Sequence, residues 1–428
     1  MTLSSVSSRV TLPATPGQAS LFFAAQRAVS ECAYNVPTVV EVRGRVSDAE
    51  LLAACRRLVD RTPALRLRIG IDSRTGRVVQ WISADHPEID FVELPAGRAQ
   101  PIADYAEDRA REAFEPDEGP LCRLVVVRSG PVDAAIIAVT HHLIIDGVSH
   151  PELARRMGDA VADALAEQPD EQYAELVRHV LEAQAESRDR DHDHWAGRLP
   201  AGARLPRWRP AGGAGLADRE PSGVADGRRL LALGPAATRQ AAAEAADVGL
   251  FCYLVAAIHR CVPATGGDLS VVAAATSVRP RSGSHDAVTG CFINEIPMLA
   301  DLAGPAAGSI RALAVAGAPD WKGDLRRRNY PFVDLASRVG HDGDAQALRM
   351  DSVIVSYRRT PRVLTWSRDG LGFSADLYPR YPMAKNEISV RFFHHPDSLE
   401  YEVQWGRNLP VGLGEAFTAD LASALAGS

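Results

Sequence analysis

The chain has 428 residues, 46% hydrophobic and 24% charged, with a formal net charge of −7. That length suits two hydrophobic cores better than one, and the negative balance argues against nucleic-acid binding, which needs a strongly basic face. No run of about 18 apolar residues exists to cross a bilayer, and "MTLSSVSSRVTLPATPGQ" at the start has no apolar signal core. A cytoplasmic protein is expected, with neither membrane nor nucleic acid as partner.

The six cysteines (Cys32, Cys55, Cys122, Cys252, Cys261, Cys291) form no CxxC pair and no metal-ligand spacing, and read as small core residues. In chain order, "PTVVEVRGRV" is β-branched and ends near a glycine, the pattern of a strand. Ser47 then caps a helix whose apolar positions Leu51, Leu52, Cys55, Leu58 and Val59 keep helical spacing. "GRVVQWI" reads as a strand, "DYAEDRAREAFE" as a helix, and "CRLVVVRSG" and "AAIIAVTHH" as strands, followed by the helix "HPELARRMGDAVADALAE". This is an α/β texture through residue 185. Residues 186–228 contain a Gly-, Pro- and Ala-dense stretch without periodicity and read as a linker. Residues 229–428 repeat the texture: strand "RRLLALG", one helix from Pro235 to Val262, strand "LSVVAAATSV", extended "CFINEIPMLADL", strands "SVIVSYRR", "NEISVRFFHH" and "SLEYEVQWG", and a closing helix.

The chemistry concentrates in "VTHHLIIDGVSH" (139–150). Neighbouring side chains on a strand point to opposite faces, so His141 and His142 are badly placed to share a metal ion. Two satisfied core histidines are the plain alternative. Asp146, however, follows an apolar triplet, and a buried carboxylate needs a partner. Gly147 permits a turn or a close approach. A neutral imidazole at a strand end, held by such a loop, can accept a proton from an amine or hydroxyl.

"HHLIIDG" resembles the HHxxxDG signature of nonribosomal peptide synthetase condensation domains and their acyltransferase relatives. "TPGQASLFFAAQ" with Gln18, "RTPALRLRI", "DHWAGRLP", "TGCFINEIP", "NYPFVDLASRVG", "SVIVSY" and "LEYEVQWG" resemble further segments of that family, in order along nearly the whole chain. Thr62 and Pro63 depart from its usual His-Glu, and "KNEISV" from its usual Asp-Leu. The resemblance implies an α/β (α+β) fold of two chloramphenicol-acetyltransferase-like lobes in a V with a central tunnel. It implies His142 as the catalytic histidine, His141 as its structural neighbour, and an Asp146 salt bridge to Arg279, with Arg281 as the second choice. It implies transfer of an acyl or aminoacyl group from a carrier protein's phosphopantetheine thioester, or from coenzyme A, to an amine or alcohol. No cofactor of the chain's own and no metal are called for. A monomeric, free-standing enzyme or a cleanly excised domain is expected. The retained histidine pair and the lack of an "EGHGR"-like segment set the chain apart from heterocyclising and epimerising relatives. An inactive scaffold that recruits a tailoring enzyme is the competing reading.

Weaker features remain. His192 and His194 in "DRDHDHW" read as a solvated helix end before a metal site. Cys291 reads as a packed strand residue, not a nucleophile. "PDSLE" reads as a turn, not a carrier attachment site. Arg326, Arg327 and Arg328 form the densest cationic cluster, a candidate carrier-docking patch whose alternative is a solvated helix face.

Overall fold

Ser47 carries a clear local instruction. In the computed structural model its hydroxyl accepts from Glu50 N (3.2 Å) while Glu50 returns a carboxylate to Ser47 N (2.7 Å), a closed capping box. Leu51, Ala54, Cys55, Leu58 and Val59 are the buried side of the helix that follows. The structure describes residues 11–26, 32–94, 102–208, 227–262, 264–265, 269–280, 285, 287–302, 308–339, 349–360, 362–378, 380–395, 398–406, 409–410 and 412–426.

The described elements of the first half are β1 (Leu12–Pro13), α1 (Pro16–Gln26), β2 (Asn35–Arg43), α2 (Asp48–Asp60), β3 (Leu67–Ile71), β4 (Val78–Ile82), β5 (Ile89–Glu93), α3 (Ile102–Arg109), β6 (Cys122–Arg128), β7 (Asp133–His141), α4 (Ser149–Val161) and α5 (Asp170–Arg190). There follow α6 (His192–Arg198), β8 (Arg207–Trp208), β9 (Gly227–Leu233), α7 (Pro235–Glu244), α8 (Leu250–Cys261), β10 (Ala264–Thr265), β11 (Ser270–Ser277), β12 (Ile293–Ala300), α9 (Ile310–Arg326) and α10 (Phe332–Ala336). The chain ends with β13 (Val353–Arg358), β14 (Val363–Arg368), β15 (Leu371–Asp376), β16 (Ile388–His394), β17 (Leu399–Trp405) and α11 (Leu413–Ala426).

The chain forms two compact units, and the split is not linear. The first takes Met1–Glu182 and adds Arg279–Ile293 and Arg362–Pro382 from the second half. The second takes Ala183–Val278, Asn294–Pro361 and Met383–Ser428. The 186–228 stretch read as a linker contributes α6 and β8 to the second unit, because Trp195, Leu199 and Trp208 bury themselves in its core.

The first unit is built on a six-stranded mixed sheet in the order β14-β15-β2-β7-β6-β5. β7 is central, and all its residues but Asp133 are buried. It pairs antiparallel with β2 and β6, which explains a continuous apolar run where alternation would mark a half-solvated strand. The second unit's six-stranded sheet runs β12-β11-β13-β16-β17-β9, with β11-β13 and β13-β16 parallel and β16-β17-β9 antiparallel. Val353, Val355, Val390, Phe392, Tyr401 and Val403 face a core shared with α8, α9 and α11. This is the mixed α/β, two-lobed acetyltransferase-like class expected from the sequence.

Two local readings change. The helix expected from Pro235 to Val262 is two helices, because Gly249 adopts φ +90° ahead of α8. The β14-β15 hairpin was not foreseen. Its turn is Asp369-Gly370, at φ 50° and 80°, the left-handed pair of a type I′ turn.

Candidate functional site

β7 delivers the histidine pair. His141 is the strand's last residue and is buried; His142 is the first residue of the turn and is half-buried. Their backbones are fixed from two sides: His141 N donates to Leu121 O (2.9 Å) and His142 N to Tyr34 O (2.8 Å). His141 Nδ1 accepts from Leu143 N at 3.1 Å. That bond places the proton of a neutral His141 on Nε2. Its ring stacks on Tyr34 (centroids 6.0 Å apart, planes 28°) and meets Phe114 edge-on (6.3 Å). The His142 ring lies parallel to Tyr381, with centroids 6.5 Å apart and planes 9° apart. The two imidazoles thus have separate surroundings.

Asp146 is buried and saturated with donors. Oδ1 accepts from Val148 N (3.0 Å) and Ser149 N (2.7 Å), satisfying amides at the start of α4. Oδ2 accepts from Phe292 N (2.9 Å) and faces Arg279 Nη2 at 3.4 Å. Asp146 N donates to Gly290 O. Gly147 lies in the half-buried turn that leads into α4.

Arg279 belongs to the first unit's inserted segment. Nη1 donates to Val288 O (2.6 Å), Nη2 to Ser149 Oγ (2.6 Å) and Gly290 O (3.2 Å), and the guanidinium lies 4.6 Å from the Phe292 ring centre. Arg281, the second choice, lies outside the described residues. Ser149 was missed by the sequence reading. Its hydroxyl donates to Gly290 O (2.8 Å) and accepts from Gly290 N (3.0 Å), so it joins the loop, the helix and the 279–293 segment. The "DGVS" spacing, an aspartate followed three residues later by a hydroxyl at a helix start, was the available signal.

Other motif residues brace the same loop. Gln18 Nε2 donates to Leu143 O (3.2 Å), and Gln18 and Gln80 exchange side-chain amide bonds at 3.0–3.1 Å. Tyr173 donates its hydroxyl to Gln80 (2.8 Å). A Cβ on Gly17 would stand 2.0 Å from Ile293 O, so only glycine fits there. Thr62, where the sequence departs from the family pattern, accepts from Arg156 Nε at 3.1 Å. Within the second unit, Asn294 of "FINEIP" donates to Arg328 O (2.8 Å) and Tyr330 O (2.6 Å) and accepts from Phe332 N (3.1 Å). That pins the "NYPF" turn.

The arginine cluster divides. Arg327 Nε faces Asp191 at 3.4 Å and its Nη1 donates to Gly323 O, while Arg328 Nε donates to Ser277 O (2.8 Å). Arg326, the last residue of α9, is exposed. His194 pairs with buried Asp324 (2.8 Å), which Arg198 also meets, and His192 lies exposed beside Asp193. Among the described residues, no three His, Cys, Asp or Glu groups gather in a metal-binding arrangement. The six cysteines are buried and unbridged; burial pushes the Cys55 thiol up to about 12. Of "PDSLE", Pro396 and Asp397 lie outside the described residues, and Ser398 O accepts from His395 N across the β16-β17 connection. No described helix is long and apolar enough to cross a membrane.

Residues 8–407 match the family profile described as Condensation domain. The chain belongs to the condensation-domain family. Condensation domains are amide-bond-forming acyltransferases that act on carrier-bound or coenzyme A thioesters. Similar curated proteins include tyrocidine synthase 3 of Brevibacillus parabrevis (26% identical over 336 residues, 76% of this chain) and a plipastatin synthase of Bacillus subtilis strain 168 (22% over 415 residues, 93% of this chain). The chain spans only 5% and 15% of those two proteins' lengths. Similar solved structures include the condensation domain from the monacolin K polyketide synthase MokA (TM-score 0.75, 15% identity, 97% of this chain and 96% of that one). The starter condensation domain of rhizomide synthetase RzmA is another (TM-score 0.71, 18% identity, 97% and 96%). At these identities the structural likeness supports the fold.

Proposed function

We propose that this condensation domain catalyses acyl or aminoacyl transfer from a phosphopantetheine thioester on a carrier protein, with coenzyme A as the alternative carrier, to an amine or alcohol. The product is an amide or ester in nonribosomal peptide or related biosynthesis. The reading rests on an intact HHLIIDG loop in which His142 alone of the pair is half-buried, while Asp146, Ser149, Arg279 and Gly290 lock the loop beneath it. Neutral His142 accepts the proton as the acceptor nitrogen or oxygen attacks the thioester carbonyl. The carbon–sulfur bond breaks and the thiolate leaves with the carrier, taking up a proton. His141, buried against Tyr34, keeps the strand end in place. The two carbonyl-bound histidine amides and the saturated Asp146 leave the loop little freedom, which favours a positioned base. Buried, unbridged cysteines support a reducing, cytoplasmic setting.

The test is incubation with acyl-carrier thioesters and a panel of amines and alcohols, with products read by mass spectrometry. Product formation that falls with His142→Ala supports the proposal. Absence of product with every donor, from folded protein, overturns it and favours the recruiting scaffold.

A further inference from the structure

We infer that Tyr381 is a positioning residue for His142, an inference that rests on the base role proposed above. The two histidines each lie against a different tyrosine: His141 against Tyr34, in the turn just before β2, and His142 against Tyr381. Tyr381 does not come from neighbouring sequence. It lies at the end of the Arg362–Pro382 segment that the first unit draws from the second half of the chain. The β14-β15 hairpin joins that unit's sheet through β15-β2 pairing, Gly372 opposite Arg43 and Ser374 opposite Glu41. The chain leaving β15 is then fastened repeatedly. Leu377 N donates to Arg362 O (2.7 Å), Tyr378 N to Asp376 Oδ1 (3.0 Å), and Arg380 pairs with Asp104 of α3 (2.8 Å). One residue later Tyr381 is buried, with its ring parallel to His142.

A base must aim one lone pair at the acceptor's proton, and the terminal torsion of histidine has a broad, roughly two-fold preference that does not fix the ring plane. A rigid aromatic plane at this spacing does so, since aromatic pairs settle with centroids roughly 4.5–7 Å apart. The His142 backbone is held by Tyr34 O, and the parallel Tyr381 ring supplies a constraint on the plane of its side chain. This role asks nothing of the phenol oxygen. The ring plane is what matters, so phenylalanine should replace tyrosine.

The experiment measures kcat and KM with carrier-bound donor for Tyr381→Phe, Tyr381→Leu and His142→Ala, and for the double variant Tyr381→Leu/His142→Ala, with melting curves to establish folding. Tyr381→Phe should stay within about threefold of the parent. Tyr381→Leu fills the space without a plane and should lower kcat ~10- to 100-fold, the scale of a small misplacement of a reacting group, with KM much less affected. In the His142→Ala background the leucine substitution should cost nothing further, since the two act as one device. Tyr381→Met takes the place of leucine if that variant does not fold. Wild-type kcat in folded Tyr381→Leu overturns the inference, as does a Tyr381→Phe variant as slow as leucine or a full additional loss in the double variant. Unchanged turnover in His142→Ala would instead overturn the base reading itself.

Discussion

His142 and Asp146 stand four residues apart, yet their substitutions should fail in different ways. His142→Ala removes a half-buried ring from a turn whose backbone is held independently by Tyr34 O. The fold should survive and kcat should drop ~100- to 10,000-fold, the usual contribution of a positioned base, as measured by product formation from carrier-bound donor. Asp146→Ala withdraws an acceptor from the amides of Val148, Ser149 and Phe292 and leaves Arg279 buried beside them. Breaking a buried pair from one side costs roughly 3–5 kcal/mol. Loss of soluble protein, or an earlier urea midpoint, should therefore precede any kinetic effect. Ser149→Ala offers an intermediate case: it removes one hydroxyl that serves Arg279 and both backbone groups of Gly290. It should cost about 1–3 kcal/mol, the penalty of leaving buried partners unsatisfied.

At the scale of elements, the end of α9 separates structural from available charge. Arg327 and Arg328 hold Asp191, Gly323 O and Ser277 O, so removing them loosens the second unit whatever else they do. Arg326 is exposed on the helix's last turn. If a carrier docks there through its acidic helix or phosphate, Arg326→Ala should raise KM for carrier-bound donor by severalfold and leave a short free thioester unaffected. The same selectivity should follow added salt, which screens exposed charges over about 8 Å at physiological strength; equal effects on both donors would leave a solvated helix end. The elements also differ in how readable they were. The N-cap at Ser47 and the continuous apolar run of β7 carry their own local physics, and both were legible; the Glu50 half of the capping box was not read. The Asp369-Gly370 turn was equally legible as a hairpin signal and went unread. The break at Gly249 was hidden by the alanine-rich, helix-favouring sequence before it. The fastening of Tyr381 near His142 had no local signal at all. It depends on β15 pairing with β2, a non-local ladder that no periodicity encodes.

At the scale of the whole molecule, the second unit carries two groups that should set its stability against pH from opposite sides. His259 is fully buried on α8, stacked on Trp321 (5.6 Å) and bonded to Ser270 Oγ (2.9 Å), and burial pushes it down to about 3. The unfolded chain therefore takes up a proton below about 6.5 that the folded unit refuses, and stability is lost as pH falls from there toward 3. Glu295 on β12 is the converse. Burial, with the Asp351 carboxylate adding to it and Lys385 opposing, raises it to about 8. The folded unit keeps a proton that the unfolded chain gives up, so stability is lost as pH rises from about 4.5 toward 8. Each one-proton difference changes stability by at most about 1.4 kcal/mol per pH unit. Urea midpoints at pH 5, 6.5 and 8 test both, with fluorescence weighted to the second unit by Trp195, Trp208, Trp321 and Trp405. Between pH 6.5 and 5 the two changes oppose each other, so His259→Gln should turn a nearly flat response into a gain of stability on acidification, and Glu295→Gln should flatten the loss between pH 6.5 and 8. Wild-type curvature in either variant would show that the proton in question is bound alike by folded and unfolded chain.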